Sequence, residues 1–315
     1  MTRTYPRKDG PSPAARITAE IVSRLEAGTR PWIRPWRGAP VSRPLRCCGT
    51  PYRGMNVFWL WMVADMAGFT SPHWMTYAQA NSNGGQVRKG EKSAIAIFYK
   101  SYTKDVEFPE SGESSEQARR VLKAYAVFNA NQVDGLPERF HRAAALELVE
   151  PAGRSDALDR FFAAIPVRLR QQGDAAYYEP VPDRVTMPPR EAFTGFDHYY
   201  ATLAHELSHW TGHASRLARD LKNRFGTAAY AAEELVAELS SAMLGAELGL
   251  PVAHLDSHAS YIDHWLKLLR ADDRAILTAA ARAEEASGFL LRLGRGMSEV
   301  TGDEDAECSA SALAA

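Results

Sequence analysis

Apolar residues recur every three to four positions along several stretches of the chain, which is the period of a helix with one buried face. The segment 14–27 is typical, because Ile17, Ile21 and Leu25 fall on one side of it and Gly28 follows. The same pattern predicts helices over residues 52–67, 73–85, 156–164, 196–210 and 228–248, and one or two more within 258–290. Asp197 is the predicted N-cap of the helix at 196–210, and Gly212 is its predicted end.

Shorter apolar runs predict strands in both halves of the chain. Ala94 to Tyr99 and residues 122–133 are expected to pair in a small sheet. The acidic, Ser-rich residues 107–118 between them lack periodicity and predict a solvated loop. Further on, residues 176–188 predict two short strands around a proline turn. Arg184 to Met187 is the expected edge strand, which could pair with an extended peptide.

Length and patterning together predict two domains of the α+β class. A chain of 315 residues is long enough for about two domains. Residues 1–150 are expected to form a small basic α+β domain, and residues 151–295 a mainly helical one. Residues 1–12 and 296–315 are polar and are predicted to be disordered.

The composition is that of a globular protein in water, with 45% apolar and 24% charged residues. It excludes a wholly disordered chain, a collagen-like fibre and a disulfide-stapled miniprotein. The longest apolar run, Met55 to Met66, contains Asn56 and Asp65 and is too short to span a bilayer, so no membrane association is expected. No apolar stretch follows the basic N-terminus, which argues against a secretory signal and makes the cytoplasm the expected compartment.

Charge is distributed unevenly, although the formal net charge is only −1. Residues 1–100 contain 15 Lys and Arg against 5 Asp and Glu, whereas residues 101–315 contain 22 against 33. A basic first third joined to an acidic remainder is typical of a polyanion-binding module attached to a second function. Chance clustering on a solvated basic face is the alternative.

Tryptophan rings accompany this positive charge. Rings can stack on unpaired bases while cationic groups neutralise phosphates, so the mixture favours single-stranded DNA as a partner. Trp32 and Trp36 lie beside prolines in an extended Arg-rich segment and are expected to be exposed, whereas at least one of Trp59 and Trp61 is expected in the core. The predicted DNA-binding residues are Trp32, Arg34, Trp36, Arg37, Arg53, Trp74, Arg88, Lys89 and Lys92.

The sharpest chemical signal is the H-E-x-x-H motif from His205 to His209. On a helix, His205 and His209 lie one turn apart on the same face and can hold one Zn²⁺. Glu206 between them is then placed to act as a general base toward the attacking water. A surface helix with solvent-facing His and Glu is the alternative, but a second acidic helix follows at a suitable distance.

A zinc site of this kind needs a third protein ligand. A longer histidine motif would require His where the chain has Ser215. Glu234 and Glu238 share one face of the predicted helix 228–248. This pair resembles the thermolysin-like arrangement, in which one helix carboxylate binds the metal and another orients a ligand histidine. By that resemblance Glu234 is the ligand and Glu238 the orienting residue, but Glu238 replaces the usual Asp, so the exchanged assignment stays open.

Neighbouring polar residues receive lesser roles. Glu233 lies about 100° around the helix from Glu234 and is expected to be solvated. Tyr230 and Tyr261 are candidates to hydrogen-bond a developing oxyanion, with packing as the alternative. A His/His/Glu set accepts Zn²⁺ or Mn²⁺, and no other small-molecule cofactor is expected. The histidines that are expected to bind no metal are His213, His254, His258 and His264.

Several motifs resemble one known family. The runs PWIRPW, YRGMN, SPHWMTYAQANSNGGQVRKGEKS and AYAVFNANQVDGL are similar to the N-terminal domain of ArdC-type antirestriction proteins, which also occurs in plasmid primase-like proteins of the TraC type. The runs VTMPPREAFTGFDHYYATLAHELSHWTGHASRL and YAAEELVAEL are similar to the zincin-like metallopeptidase domain that follows it. The resemblance spans roughly residues 15–290, and the lack of a primase-like region favours the short antirestriction form.

The resemblance implies a function that composition alone does not. Such proteins are carried on plasmids and other mobile elements, and their N-terminal domain is similar to single-stranded-DNA-binding modules. They are taken to shield incoming single-stranded DNA from restriction nucleases during conjugation. The expected ligands of the second domain are His205, His209 and a Glu of the following helix.

One main function and two alternatives follow. The main expectation is an antirestriction protein that binds and protects single-stranded DNA and carries an H-E-x-x-H zinc metallopeptidase domain. The first alternative is a metalloprotease that cleaves a host protein, with DNA binding serving only localisation. The second is a housekeeping metalloprotease with an incidental basic face, which would show no preference for single-stranded DNA.

Overall fold

The computed structural model describes residues 10–29, 32, 42–107, 114–141, 151–221, 227–250 and 259–297. Helices and small sheets are both present in these ranges, so the predicted α+β class is confirmed. The helices are α1 (Pro13–Glu26), α2 (Met55–Ala67), α3 (Tyr77–Ser82), α4 (Pro151–Ala163), α5 (Phe196–Thr211), α6 (Ala228–Leu248), α7 (Ala259–Ala271) and α8 (Ala275–Gly294). The strands are β1 (Leu45–Arg46), β2 (His73–Met75), β3 (Gln86–Val87), β4 (Ala94–Glu107), β5 (Ser114–Asn129), β6 (Val133–Asp134), β7 (Arg168–Gln171), β8 (Tyr177–Glu179) and β9 (Arg184–Met187).

The predicted elements of the first half form, with different lengths. Helix α1 begins after Ser12, whose Oγ accepts the backbone N–H of Ala15 at 3.0 Å. The helix predicted over 73–85 shrinks to α3, because residues 73–75 pair as β2 and Thr76 caps the helix that follows. The four-stranded sheet has the order β1-β2-β5-β4.

Strands β4 and β5 form a much longer hairpin than the sequence predicts. Their register runs from Ala94 opposite Val127 to Glu107 opposite Ser114. The predicted loop at 107–118 is therefore wrong for Glu107 and for residues 114–118, and its centre, 108–113, lies outside the described residues. Backbone hydrogen bonds between strands do not depend on apolar side chains, so this polar stretch gave no periodic signal.

The second half contains a three-stranded sheet of order β7-β9-β8 beside α5. The two strands predicted within 176–188 are confirmed as β8 and β9. The edge assignment is wrong, because β9 lies in the middle, with β7 parallel on one side and β8 antiparallel on the other. Strand β7, of sequence RLRQ, is largely polar and was not predicted. The free edge near α5 therefore belongs to β8.

The first of two large apolar cores contains elements from both halves of the chain. It combines α1 and α2 with α6, α7 and α8, and it includes Trp32 and Trp265. Two partly buried ion pairs reinforce the junction, because Arg43 lies 2.6 Å from Glu284 of α8 and 3.0 Å from Glu247 of α6. A second core surrounds α5 and packs it against the three-stranded sheet. Among the described helices, none has the length and apolarity that crossing a membrane requires.

Candidate metal centre

Helix α5 carries His205, Glu206 and His209. Its apolar residues Leu203 and Leu207 are buried in the second core and hold the helix in place. The helix begins after Gly195, so Asp197 is not its N-cap but part of the first turn, where negative charge favours the helix dipole. Gly212 caps the other end, as predicted. The one-turn spacing brings the two imidazole rings to a centroid distance of 4.9 Å.

Helix α6 packs against α5 and adds a carboxylate to this pair. Glu234 lies 3.6 Å from His205 Nε2 and 3.5 Å from His209 Nε2. The three potential ligand atoms all lie within 4.8 Å of one another, and all three residues are largely buried. Ligand bonds of about 2.0–2.2 Å in tetrahedral geometry separate ligand atoms by about 3.3–3.6 Å, so His205, His209 and Glu234 fit a divalent cation.

Both histidines contact a second carboxylate of α6 through the other ring nitrogen. Glu238 lies 3.8 Å from His205 Nδ1, and Glu233 lies 3.3 Å from His209 Nδ1. The expectation that Glu233 is solvated is wrong: it is largely buried and accepts hydrogen bonds from Arg219 at 2.9 and 3.0 Å. A carboxylate on the far nitrogen fixes the tautomer and the orientation of a ligand histidine.

Among the described residues, the centre buries more negative than positive charge. Four carboxylates from α5 and α6 surround the two imidazoles, and Arg219 hydrogen-bonds one of them. Burial raises the pKa of Glu206 above its ordinary range, although His205 and His209 oppose this. A carboxyl with a raised pKa is suited to accept a proton near neutral pH. A divalent cation would compensate most of the excess charge.

The pKa values of His209 and Glu234 are both shifted toward the charged form. Burial alone would lower the pKa of His209, but the Glu233 hydrogen bond and the Glu234 charge outweigh it and raise the pKa to about 9. Burial would likewise raise the pKa of Glu234, yet the contacts with the two histidines hold it at about 2. A proton on His209 thus balances Glu234 when no cation does, and binding a cation would release it.

Two tyrosines lie beside the centre. The hydroxyl groups of Tyr230 and Tyr261 are 3.0 Å apart, and their rings stack with centroids 6.0 Å apart. Burial raises the pKa of Tyr230, and so do its contacts with Tyr261 and Glu234. Both hydroxyls therefore stay protonated and able to donate at neutral pH.

Other histidines are predicted to bind no metal. His213 hydrogen-bonds Ser215, His264 lies on α7, and His254 and His258 lie outside the described residues.

The structure changes the list of DNA-binding candidates. Trp32 is only 1% exposed because its ring packs in the shared core, and Trp74 is 1% exposed because it packs against Phe69. The expectation that Trp32 is exposed is wrong, and neither ring can stack on a base in this conformation. The candidates Arg34, Trp36 and Arg37 lie outside the described residues.

The remaining candidates lie on the surface of the first half. They are Arg53, Arg88, Lys89 and Lys92. Arg88 bonds Glu91 at 2.7 Å and Asp134 at 3.3 Å, so part of its charge is already balanced. Tyr77, which is not among the predicted residues, is 48% exposed and lines an open groove of about 590 Å³ with Arg88, Lys89, Glu91 and Asp134. A lone tyrosine at a helix start carries no periodic signal that could have identified it.

Known protein families match both parts of the chain. A family described as the N-terminal domain of anti-restriction factor ArdC matches residues 12–128, and a family described as a zincin-like metallopeptidase matches residues 156–282. Protein y4eC of Sinorhizobium fredii is 38% identical over 281 residues, which cover 87% of this chain and 90% of that protein. A DNA primase TraC of Escherichia coli is 38% identical over 295 residues, 88% of this chain but only 27% of the primase.

Two solved structures of one relative are also similar. The antirestriction ArdC protein from plasmid R388 is 40% identical, and the match covers 91% of this chain and 100% of that one. The TM-score is 0.77 for its metal-free structure and 0.75 for its Mn(II)-bound structure. A zincin-like domain implies zinc, and the relative holds Mn(II), so the predicted Zn²⁺, with Mn²⁺ as the second possibility, is confirmed at this level. The chain therefore belongs to the ArdC family of antirestriction proteins and combines the ArdC N-terminal domain with a zincin-like metallopeptidase domain.

Proposed function

We propose that this chain binds single-stranded DNA through its first half, protects it from restriction endonucleases, and hydrolyses peptide bonds at the centre on α5 and α6. The observation that carries the enzymatic part is the buried convergence of His205, His209 and Glu234 within 4.8 Å, with Glu206 between the two histidines in sequence. A site built only for structural zinc would use four protein ligands and would have no need of this general base.

Each residue of the centre receives a role in hydrolysis. His205, His209 and Glu234 would hold a divalent cation, which supplies Lewis-acid polarisation of the scissile carbonyl and lowers the pKa of water. Glu206 accepts the proton of the attacking water and returns it to the leaving amine. Tyr230 and Tyr261 donate hydrogen bonds to the oxyanion that develops on the substrate.

The edge of β8 is the proposed binding site for an extended peptide. The backbone N–H of Tyr178 lies close enough to Glu206 to favour its carboxylate form. One edge of β8 pairs with β9, and we propose that the other edge faces the centre. A peptide added as a further strand would pass beside Glu206 with its backbone hydrogen bonds satisfied.

The DNA-binding part of the proposal depends on the basic first half. Exposed Lys89 and Lys92 can neutralise phosphates, and exposed Tyr77 offers a stacking surface in the adjacent groove. We expect the purified chain to bind a single-stranded oligonucleotide more tightly than the matching duplex, and the affinity to fall steeply with salt. Fluorescence anisotropy at several salt concentrations measures both. Equal, weak binding to the single-stranded and duplex oligonucleotides would contradict the proposed DNA binding. It would favour the alternative function of a housekeeping metalloprotease.

Replacing Tyr77 tests the groove directly. Loss of one stacked ring costs about 1–3 kcal/mol, so Tyr77→Ala should weaken single-strand binding by about 5- to 150-fold without changing the salt slope. Tyr177→Ala is the matched control. Tyr177 is equally exposed, at 47%, but lies on β8 of the three-stranded sheet, away from the groove in sequence. Equal anisotropy titrations for both variants would exclude the groove as a stacking site.

A protease directed by DNA binding is the second candidate function. The shared core supports it, because described helices of the basic first half pack directly against helices of the peptidase half. In this case protection of DNA would depend on cleavage of a host protein. The two candidates differ in whether protection of DNA survives loss of the general base Glu206.

A further inference from the structure

Trp32 combines a buried position in the shared core with a polar contact to the second half of the chain. It lies in the core formed with α6, α7 and α8, and its ring meets that of Trp265 edge to face, with centroids 5.5 Å apart and planes at 71°. An apolar ring alone would satisfy this packing. The feature that packing does not explain is the direction of the indole N–H.

That N–H points at the carboxylate beside His205. Trp32 Nε1 donates to Glu238 Oε1 at 3.2 Å, and both residues are buried. The other oxygen of the same carboxylate, Oε2, lies 3.8 Å from His205 Nδ1. His205 in turn directs Nε2 toward Glu234 at 3.6 Å. Trp32, Glu238 and His205 are therefore neighbours in a row: the first contact is a hydrogen bond, and the second, at 3.8 Å, is a close electrostatic approach.

We infer that Trp32 is a positioning residue of the metal centre, which fixes the Glu238 carboxylate so that His205 presents Nε2 to the cation. This inference rests on the proposed function of the centre. A carboxylate can rotate about its last bond, and the hydrogen bond from the indole to Oε1 restricts that rotation. With Oε1 held by the indole, Oε2 stays on the His205 side and favours the tautomer with hydrogen on Nδ1.

The consequence is that the first half of the chain contributes to cation binding in the second half. Trp265 has the same kind of ring in the same core, but its N–H donates to the backbone oxygen of Ala231 at 3.1 Å. The two residues thus form a natural comparison: both pack, and only Trp32 reaches the carboxylate that contacts a ligand histidine.

Titration of the full-length, metal-free chain with Mn²⁺ tests this inference by calorimetry. We expect Trp32→Phe, which keeps a ring but removes the N–H, to weaken Mn²⁺ affinity by about tenfold, near the lower end of the range for outer-shell partners. Trp265→Phe should leave the affinity within about twofold of the unchanged chain, because its N–H lies outside this row of side chains. Thermal unfolding in EDTA provides a separate measure of lost packing for both variants.

A double-mutant cycle shows whether Trp32 acts through Glu238. In the Glu238→Ala background, Trp32→Phe should change Mn²⁺ affinity by less than about twofold, because the group that it positions is gone. An equal loss in both backgrounds would overturn the inference, as would an unchanged affinity of Trp32→Phe alone. Failure of the unchanged chain to bind Mn²⁺ would instead overturn the proposed centre itself.

Indole N–H spectra provide a test that does not require Trp32→Phe to fold. In the chain labelled with ¹⁵N at tryptophan, we expect Glu238→Gln to shift the signal of one slowly exchanging indole N–H, because its acceptor changes from a carboxylate to an amide. Unchanged signals for all slowly exchanging indoles would overturn the inference.

Discussion

Glu206→Gln is expected to lower the rate of peptide hydrolysis by about a hundredfold to ten-thousandfold, which is the usual contribution of a general base. The amide is nearly isosteric but cannot accept the proton of the attacking water. Because Glu206 is not among the three converging ligands, Mn²⁺ affinity should remain close to that of the unchanged chain. Mass spectrometry of a mixed peptide library before and after incubation measures cleavage, and calorimetry measures Mn²⁺ binding.

Glu285→Gln is the matched control, since Glu285 lies exposed on α8 and far along the chain from the centre. Equal cleavage by the Glu206 and Glu285 variants would exclude Glu206 as the base. The same pair decides between the two candidate functions. Single-stranded DNA incubated with a restriction endonuclease should stay protected by Glu206→Gln if protection is by binding, and loss of protection would favour the DNA-directed protease.

Glu234→Gln should lower Mn²⁺ affinity by at least about a hundredfold, and Glu238→Gln by about ten- to a hundredfold. The first figure uses structural Zn²⁺ sites as a guide, where about 10–16 kcal/mol shared among four ligands gives about 2.5–4 kcal/mol for each ligand. The second is the range for a residue that orients a ligand histidine. Glu234 contacts Nε2 of both histidines, whereas Glu238 contacts His205 at Nδ1 only.

Parallel calorimetric titrations of the two variants separate these roles. Circular dichroism in EDTA serves as the control, since both variants should keep the helical content of the unchanged chain. A larger loss for Glu238→Gln than for Glu234→Gln would reverse the assignment of ligand and orienting residue. That outcome would revive the exchanged roles that the helix spacing alone left open.

Local spacing in the sequence was sufficient to predict that the candidate ligands share helix faces. His205 and His209 are one turn apart on one helix, and Glu234 and Glu238 are one turn apart on the next. Such relations depend only on the helical period, which apolar positions reveal. The structure brings these residues together in one buried cluster.

The contacts that tune the centre depend on residues distant in sequence. Arg219 holds Glu233 across 14 positions, and Trp32 reaches Glu238 across 206. No periodicity links such pairs, because their proximity arises only when whole elements pack. Trp32 is an example: its position among arginines and prolines predicts an exposed ring, but the ring is buried because the folded chain packs it in the shared core.

The core shared by α1, α2 and the helices α6 to α8 also has a consequence for recombination of genes that encode such proteins. A recombination event that carried away only one half would leave an apolar face without its partner, and the truncated product would be prone to aggregate. Selection would then preserve exchanges that move both halves together. The TraC primases fit this pattern, because each matches 87–88% of this chain while devoting no more than 27% of its own length to it. In these relatives the two halves thus occur together, as a shared buried surface would require.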